Sequence, residues 1–355
     1  MEASQAYAAL AERMGYPSSA RFRNILEFIM TPDQARMAVE LPCPPEELSP
    51  RVGLPVDKVN AELDLLYQKG VIMPRNFETR ETYRFARGMG QLHDISQSHW
   101  NLDVYNDVQL KQLFELWEDF VRKEWEPDRM PQLMEAQAPR QRVIPAFKAI
   151  ASNPNMIPAD DIREIAKQSY LVAVVSCACR KRKEVVVTHC NKSHDVNCLQ
   201  FDRSAEYAVN RGHGRKLSLD EAITMLGEIE DDGLVHCWTN STKMTGNTLC
   251  SCCVDCCMNF LPMSEYGVPY TKVYQKSRYQ ANIEQDACSG CQDCVDRCQF
   301  DAIEMRKVEG SKKFKAFVIP ENCMGCGVCP LVCETEALTM ELVRSPEWIP
   351  QPATV

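Results

Sequence analysis

The sequence predicts an α+β protein of several domains, and three observations lead to this prediction. Helical periodicity dominates the first 165 residues, β-type runs appear after residue 170, and an internal repeat occupies the C-terminal part. The 355 residues are 45% hydrophobic and 25% charged, a globular composition with the length of about two or three domains. We predict an N-terminal helical domain at 1–100, a helical connector at 101–165, a cysteine-rich α/β domain at 166–280, a repeat domain at 281–345 and a tail at 346–355.

The N-terminal domain combines several short helices with a hairpin. Helical patterns cover residues 20–30, 31–40, 44–48 and 57–69, and a hairpin follows at 70–86. This order resembles the winged helix-turn-helix family of transcriptional regulators. The resemblance implies a winged-helix fold, which serves either DNA binding through the helix at 57–69 or protein docking.

Charge favours docking over DNA binding. Residues 1–100 contain 11 Lys and Arg against 13 Asp and Glu, and the helix at 57–69 presents more acidic than basic side chains. The whole chain carries a net charge of -9, which argues against general nucleic-acid affinity and suits a basic partner surface. Four arginines of the predicted wing keep DNA binding open as an alternative, namely Arg75, Arg80, Arg84 and Arg87.

The connector begins with a long amphipathic helix. An apolar stripe predicts a helix over residues 106–125, and a Pro-, Gln- and Met-rich stretch predicts a linker over 127–145.

Cysteine is unusually frequent, with 19 residues, all but Cys43 lying after residue 176. No export signal is visible, and many cysteines are separated by two other residues, as in C-x2-C. Metal-bound thiolates are therefore favoured over disulfides. No apolar run is long enough to span a membrane. We therefore expect a cytoplasmic protein of a reducing, oxygen-poor compartment.

The C-terminal repeat has an offset of 35 residues. The segment from Cys288 to Cys298 aligns with the segment from Cys323 to Cys333, and each half reads C-x2-C-x2-C-x3-C before a short apolar strand. A [4Fe–4S] cluster needs four thiolates, and three cysteines at this spacing fit one tight loop. Paired zinc ribbons fit poorly, because a ribbon uses two C-x2-C knuckles and not sets of three.

Residues 282–343 resemble a bacterial two-cluster ferredoxin domain, a family of low-potential electron carriers. The resemblance implies that the fourth ligand of each cluster comes from the other half. The first cluster would then be held by Cys288, Cys291, Cys294 and Cys333, and the second by Cys323, Cys326, Cys329 and Cys298. Two features depart from the family: Gln299 and Glu334 replace the proline usual after the fourth cysteine, and the long segment 306–320 predicts a hairpin.

Ten further cysteines lie between residues 177 and 257. A β-type run at 170–176 leads to Cys177-Ala-Cys179-Arg180, another run covers 185–188, and a capping box at Ser218 opens a helix through 229. Five of these ten cysteines lie close together at 250–257, a segment that we call the knot. The candidate ligands are Cys177, Cys179, Cys190, Cys198, Cys250, Cys252, Cys253, Cys256 and Cys257, whereas Cys237 and Cys43 are interpreted as packed thiols.

Three interpretations of this middle field remain open. It holds a third [4Fe–4S] cluster, whose negative charge the basic residues after Cys179 would compensate. Alternatively it holds a structural zinc ion, or the cysteines only fill the core. Mixed zinc ligation would use His189, His194, His213 or His236.

The middle field also resembles a group of predicted iron–sulfur electron-transfer proteins of anaerobes. The likeness is carried by Cys177-Ala-Cys179-Arg180, Gly233-Leu-Val-His236 and the knot at 250–257 before a two-cluster domain. It implies an architecture and no settled reaction.

The motifs together predict an electron-transfer protein and not an enzyme acting by itself. It would relay single low-potential electrons to or from a partner oxidoreductase in anaerobic metabolism. The alternatives are a redox-sensing winged-helix transcriptional regulator and an enzyme with its active site at the middle centre. The sequence contains no nucleotide fingerprint and no evident catalytic triad, and it leaves the oligomeric state open.

Overall fold

The computed structural model describes residues 2–99, 102–187, 190, 192, 196–244, 246, 248–309 and 313–352. Helices and strands are mixed, as the α+β prediction requires. The α-helices are α1 (Ala3–Arg13), α2 (Ala20–Ile29), α3 (Pro32–Glu40), α4 (Pro45–Val52), α5 (Val56–Gln68), α6 (Met89–Gln97), α7 (Asp107–Phe120), α8 (Glu126–Glu135), α9 (Phe147–Ile150), α10 (Ile162–Gln168), α11 (Ala178–Val186), α12 (Arg203–Arg211), α13 (Leu219–Asp231), α14 (Leu261–Ser264), α15 (Tyr270–Val273) and α16 (Asp293–Arg297).

The strands follow the same chain order. They are β1 (Ile72–Pro74), β2 (Tyr83–Phe85), β3 (Gln141–Ile144), β4 (Val172–Ser176), β5 (Val196–Phe201), β6 (Gly214–Leu217), β7 (Val235–Thr239), β8 (Thr248–Cys252), β9 (Tyr274–Gln275), β10 (Tyr279–Ile283), β11 (Ile303–Lys307), β12 (Phe314–Val318) and β13 (Leu338–Leu342). Within the described part of the chain, no helix is both long enough and apolar enough to cross a bilayer.

Contacts divide the chain into two units. The first comprises residues 1–127, 175–190 and 206–215, and the second comprises 128–174, 191–205 and 216–355. We refer to them as unit 1 and unit 2. The predicted domain boundaries stay a prediction.

Unit 1 contains the predicted N-terminal elements close to their expected places. Thr31 and Gln34 form a capping box at the start of α3, and Gly53 ends α4 in a left-handed conformation. The apolar side chains Val59, Leu63 and Leu66 of α5 are buried, and β1 pairs with β2 as an antiparallel hairpin. The winged-helix assignment itself stays a prediction.

Two predictions about local structure are wrong. The run at 185–188 was expected to be a strand, but Val185 and Val186 end α11, because Ala178 to Lys183 are mostly strong helix formers that carry the helix through. The linker predicted at 127–145 instead contains α8 and β3. A π-helical turn at Val121–Trp125 precedes Pro127, and such a turn helps a helix to continue past a residue without an N–H group.

Unit 2 contains a mixed sheet in which neighbouring strands follow the order β5-β8-β7-β3-β9. Strand β7 is antiparallel to β8 and to β3, and β9 runs parallel to β3. Two small antiparallel sheets, β10-β13 and β11-β12, carry the C-terminal cysteines. One apolar core joins residues of the large sheet, such as Val143 and Tyr274, to residues of the repeat, such as Phe300 and Cys326.

A buried ion pair also stabilises unit 2. The Arg278 Nη1 atom lies 2.5 Å from an Asp160 carboxylate oxygen, and both side chains are almost fully buried. The Arg142 guanidinium is buried as well and donates to the Ala159 carbonyl at 2.8 Å. Burial raises the pKa of Asp160, and the adjacent guanidinium groups oppose that shift.

We expect the substitution Asp160→Ala to lower the free energy of unfolding of unit 2 by about 3–5 kcal/mol, because Arg278 would keep a buried charge without its partner. Urea unfolding followed by circular dichroism measures this change. The matched control is Glu304→Ala, which breaks an exposed pair with Arg306 and should cost no more than about 1 kcal/mol. Equal losses in the two variants would contradict the prediction.

Candidate metal centres

The strands of the two halves of the C-terminal repeat occupy equivalent positions. Strands β10 and β12 are related by an offset of 35 residues, and so are β11 and β13. Each small sheet pairs a strand of one half with a strand of the other, with Tyr279 opposite Leu342 and Phe314 opposite Lys307. The hairpin predicted at 306–320 is confirmed by the pairing of β11 with β12, although residues 310–312 lie outside the described residues.

This pairing brings the fourth cysteine of each half to the other half. Cys333 precedes β13, and β13 lies beside β10, the strand that leads to Cys288. Likewise Cys298 precedes β11, which lies beside β12, the strand that leads to Cys323. The exchange of the outermost cysteines is therefore a consequence of strand pairing between the repeats.

The first cavity has an empty volume of about 350 Å³. Apolar side chains of β10, β12 and β13 line it, including Ile283, Ala316 and Leu338. Its four cysteines are those expected for the first cluster, namely Cys288, Cys291, Cys294 and Cys333.

The second cavity is similar, with an empty volume of about 280 Å³. Ala281, Ile303 and Met340 of the small sheets line it, together with Phe300. Its four cysteines are those expected for the second cluster, namely Cys298, Cys323, Cys326 and Cys329.

Glycine allows the cysteine loops to approach the neighbouring strands. Gly290 and Gly325, which are equivalent in the repeat, have φ angles of +74° and +72°. A Cβ atom at Gly325 would lie 2.1 Å from the Tyr279 carbonyl oxygen, and one at Gly290 would lie 2.2 Å from the Phe314 carbonyl oxygen. A side chain at either position would therefore displace its loop from the cavity.

Burial disfavours the ionised form of several of these thiols. It raises the pKa of Cys294 to about 11 and raises the pKa values of Cys298, Cys326 and Cys329 above their usual range. A bound metal cation reverses this effect, because a coordinating thiol is deprotonated. Backbone donors are in place for sulfur, since the Ala302 N–H group lies 3.3 Å from Cys298 Sγ. Four thiols around each small apolar cavity thus fit the donor set of a [4Fe–4S] cluster.

The two cavities differ in exposure. Cys291 of the first cavity is exposed to solvent. In contrast, Cys323, Cys326 and Cys329 of the second cavity are only 7–8% exposed and belong to the core of unit 2.

Comparison with known proteins agrees with this geometry. Residues 287–337 match the 4Fe-4S dicluster domain family. The matched segment contains all eight cysteines of the two cavities, and it supports iron–sulfur cluster binding and an electron-transfer role in general. No curated protein matches the chain.

The middle cysteine field is divided between the two units. Unit 1 contains Cys177, Cys179 and the buried Cys190. The pKa of the Cys177 thiol is raised, mainly by its hydrogen bond with Cys179. Unit 2 contains Cys198, Cys237 and the knot at 250–257. The Cys198 thiol contacts the Leu249 carbonyl at 3.9 Å.

Within unit 2, four thiols meet around Cys252. Cys257 Sγ lies 3.2 Å from Cys252 Sγ, and the thiols of Cys237 and Cys250 lie near enough to raise the pKa of Cys252. These contacts, together with burial, raise the pKa of Cys252 well above its usual range. We call these four residues the middle thiol group.

Cys237 is buried, as expected for a packed thiol, and it also lies in this group. The antiparallel register places it opposite Cys250, a relation that only the pairing of β7 with β8 creates. The sequence feature that could have indicated this position is that Cys237 directly follows Gly233-Leu-Val-His236 in an extended segment.

A second set of possible metal donors lies in the same segment, 250–257. Cys253, Asp255 and Cys256 each offer one ligand atom, and these atoms lie within 4.8 Å of one another. The middle region therefore contains cysteine-rich sites suited to metal.

The histidines considered for mixed zinc ligation have other surroundings. His236 lies 3.2 Å from Ser251 Oγ through Nδ1 and 3.3 Å from a Glu230 carboxylate oxygen through Nε2. The ring of His213 packs edge-on against Tyr207. His189 and His194 lie outside the described residues.

We expect the substitution Gly325→Ala to remove about four irons per chain, because its Cβ atom would push the Cys323–Cys329 loop away from the second cavity. Iron and acid-labile sulfide analysis of anaerobically purified protein measures the loss. The matched control is Gly267→Ala, where φ is +68° and a Cβ atom would meet nothing within 4 Å. The Gly267→Ala protein should lose only about 1–2 kcal/mol of folding free energy, from the strain of a left-handed alanine, and should keep all its iron. The same iron loss in both variants would sink the prediction.

Proposed function

We propose that this chain is an iron–sulfur electron-transfer protein that relays single low-potential electrons to or from a partner oxidoreductase. The observation that carries the proposal is the grouping of eight cysteines, four around each of two adjacent cavities of one pseudo-symmetric domain. When bound, a [4Fe–4S] cluster accepts and donates one electron at a time. The partner and the anaerobic setting belong to the proposal, as does a reducing compartment.

In this proposal Cys288, Cys291, Cys294 and Cys333 hold one cluster, and Cys298, Cys323, Cys326 and Cys329 hold the other. The apolar residues around them exclude water, and backbone N–H groups such as that of Ala302 direct partial positive charge at sulfur. The middle field holds an additional metal centre, either a further iron–sulfur cluster or zinc.

Electrons are exchanged with the partner at the protein surface beside the first cavity, where Cys291 is exposed. Five exposed carboxylates lie close in sequence to the cysteines of this cavity, two of them on α16: Asp286, Asp293, Asp296, Glu334 and Glu336. The nearby Lys315, whose Nζ atom donates to the carbonyls of Gln285 and Cys288, offsets one of these five negative charges. A partner with a basic surface would be attracted to this end of the domain.

We expect the triple variant Asp286→Asn, Asp293→Asn, Glu334→Gln to be reduced more slowly by a cationic donor, the methyl viologen radical, and faster by the dithionite anion. The reason is the loss of negative charge where the donor must approach, and the effect should shrink as salt is added. Anaerobic stopped-flow absorption measures both rates.

The control for this experiment is a triple variant with the same change in net charge, placed on α13 and after α14. It is Asp220→Asn, Glu228→Gln, Glu265→Gln, whose exposed side chains do not line either cavity. Identical rate changes in the two triple variants would refute electron exchange at the first cavity.

The N-terminal elements are proposed as a docking module and not as a DNA-binding domain. The basic groups of α5 are engaged within unit 1, since Lys58 lies 3.7 Å from Asp33 and Lys69 Nζ donates to the Ile29 carbonyl at 3.1 Å. Burial also lowers the pKa of Lys69. Arg80 of the hairpin loop lies 3.8 Å from Asp64. These contacts leave less positive charge for phosphate groups.

We expect no salt-dependent mobility shift of random duplex DNA by the full chain, whether oxidised, reduced or stripped of metal. The physical reason is the small number of lysine and arginine contacts that the N-terminal surface offers to phosphates. A shift that changes with the oxidation state would instead favour the redox-sensing regulator.

A further inference from the structure

The middle thiol group occupies one face of the large sheet. In the register of β7 and β8, Cys237 lies opposite Cys250 and Val235 lies opposite Cys252. Because alternate residues of a strand share a face, Cys237, Cys250 and Cys252 project from the same side of the sheet. The pairing of two strands therefore gathers three thiols that are up to fifteen positions apart in the sequence.

The fourth thiol comes from the turn after β8. Cys257 Sγ lies 3.2 Å from Cys252 Sγ, well beyond the about 2.05 Å of a disulfide bond. In a tetrahedral site with metal–sulfur bonds of about 2.3 Å, neighbouring sulfurs stand about 3.8 Å apart. A small adjustment of these two side chains would therefore let both bind one metal atom.

The surroundings of the group are apolar. Cys237 is fully buried, Cys252 and Cys257 are each 6% exposed, and all three belong to the core of unit 2 with Phe260 and Val143. Cysteine is a common core residue, so burial alone does not call for a metal.

Tyr274 supplies an observation independent of the thiols themselves. Its side chain is fully buried, and its hydroxyl has no hydrogen-bond partner among the described residues. The four sulfurs of the middle thiol group are its main electrostatic neighbours. A buried hydroxyl without a partner is destabilising, whereas a thiolate sulfur would accept its hydrogen bond.

We propose that Cys237, Cys250, Cys252 and Cys257 bind a thiophilic metal centre, and that the Tyr274 hydroxyl donates a hydrogen bond to one of its thiolates. On binding, each coordinating thiol releases its proton to solvent and forms one metal–sulfur bond, while Tyr274 keeps its proton. This inference rests on the part of the proposed function that gives the middle field a metal. It specifies the ligands and adds a residue that orients and stabilises them.

The site is connected to the second cavity through aromatic side chains. The rings of Tyr274 and Phe260 lie 5.4 Å apart, the rings of Phe260 and Phe300 lie 5.5 Å apart, and Phe300 lines the second cavity. An iron centre at this place would extend the electron path into the core of unit 2, whereas a zinc ion would brace the sheet that supports the second cavity.

The first experiment is iron, zinc and acid-labile sulfide analysis of the anaerobically purified full chain. We expect Cys252→Ala to lose one zinc, or the iron of one centre, and to keep the iron, sulfide and EPR signals of the two C-terminal clusters. Labile sulfide lost together with iron identifies a cluster, and zinc lost alone identifies a structural ion. Cys43→Ala, at a cysteine that is 4% exposed in unit 1, is the control and should keep all metal.

Unchanged metal content in Cys252→Ala, with the two C-terminal clusters present, would overturn the inference and leave the proposed function standing. A chain that lacks the iron of those two clusters but loses metal through Cys252→Ala would overturn the proposed function and support the inference.

The second experiment tests Tyr274 without removing a ligand. Tyr274→Phe keeps the ring, so we expect the fold to be retained and the affinity of the centre for its metal to fall about 10–100-fold. The chelator concentration that extracts half of this metal measures the change. The matched control is Tyr279→Phe, which removes another buried hydroxyl without a described partner, one that neighbours Asp160 and Arg278 and not the thiols. Equal chelator sensitivity of the wild type and Tyr274→Phe would overturn the role given to Tyr274.

Discussion

Strand pairing between the two halves of the repeat is the constraint on which the C-terminal site depends. Neither half can complete a ring of four cysteines by itself, because its fourth cysteine leads into a strand that pairs with the other half. The close contacts of Gly290 and Gly325 with carbonyls of the opposite half fix the loops against those strands. Folding of the domain and assembly of both thiol sets are therefore one event, and a metal that binds either set stabilises the pairing of both sheets.

The same sulfurs also belong to the hydrophobic core of unit 2. Cys323, Cys326 and Cys329 pack in one apolar cluster with residues of the large sheet. Their neutral thiols suit this environment, but thiolates do not unless a cation accompanies them. Burial thus makes metal occupancy a condition for ionising these thiols, and it keeps water from their sulfur atoms. The aromatic contacts from Tyr274 through Phe260 to Phe300 place the middle thiol group in that same core.

The sequence was sufficient for features that depend on local spacing and insufficient for those that depend on strand pairing. The two sets of C-x2-C-x2-C predicted three cysteines of each cavity, the resemblance to two-cluster ferredoxins implied the fourth, and the capping box at Ser218 predicted a helix start. The position of Cys237 opposite Cys250 could not be predicted, because it exists only across β7 and β8. The prediction of a linker at 127–145 was wrong because prolines were expected to end helical structure. A π-helical turn instead lets the chain stay helical beyond Pro127. The assignment of residues 175–190 to unit 1 depends on distant contacts, such as that of Arg182 with Glu118.

The difference in exposure between the two cavities bears on the direction of electron flow in the proposed relay. An added electron is added negative charge, which solvent near Cys291 stabilises better than the apolar residues around Cys326. The carboxylates near Cys291 oppose this effect, but they are exposed to solvent, so salt screens their field. Desolvation of a buried charge costs several kcal/mol and is not screened. The exposed end is therefore the more favourable place for the electron, so a donor that feeds the buried end and an acceptor that docks at Cys291 would make transfer through the domain downhill.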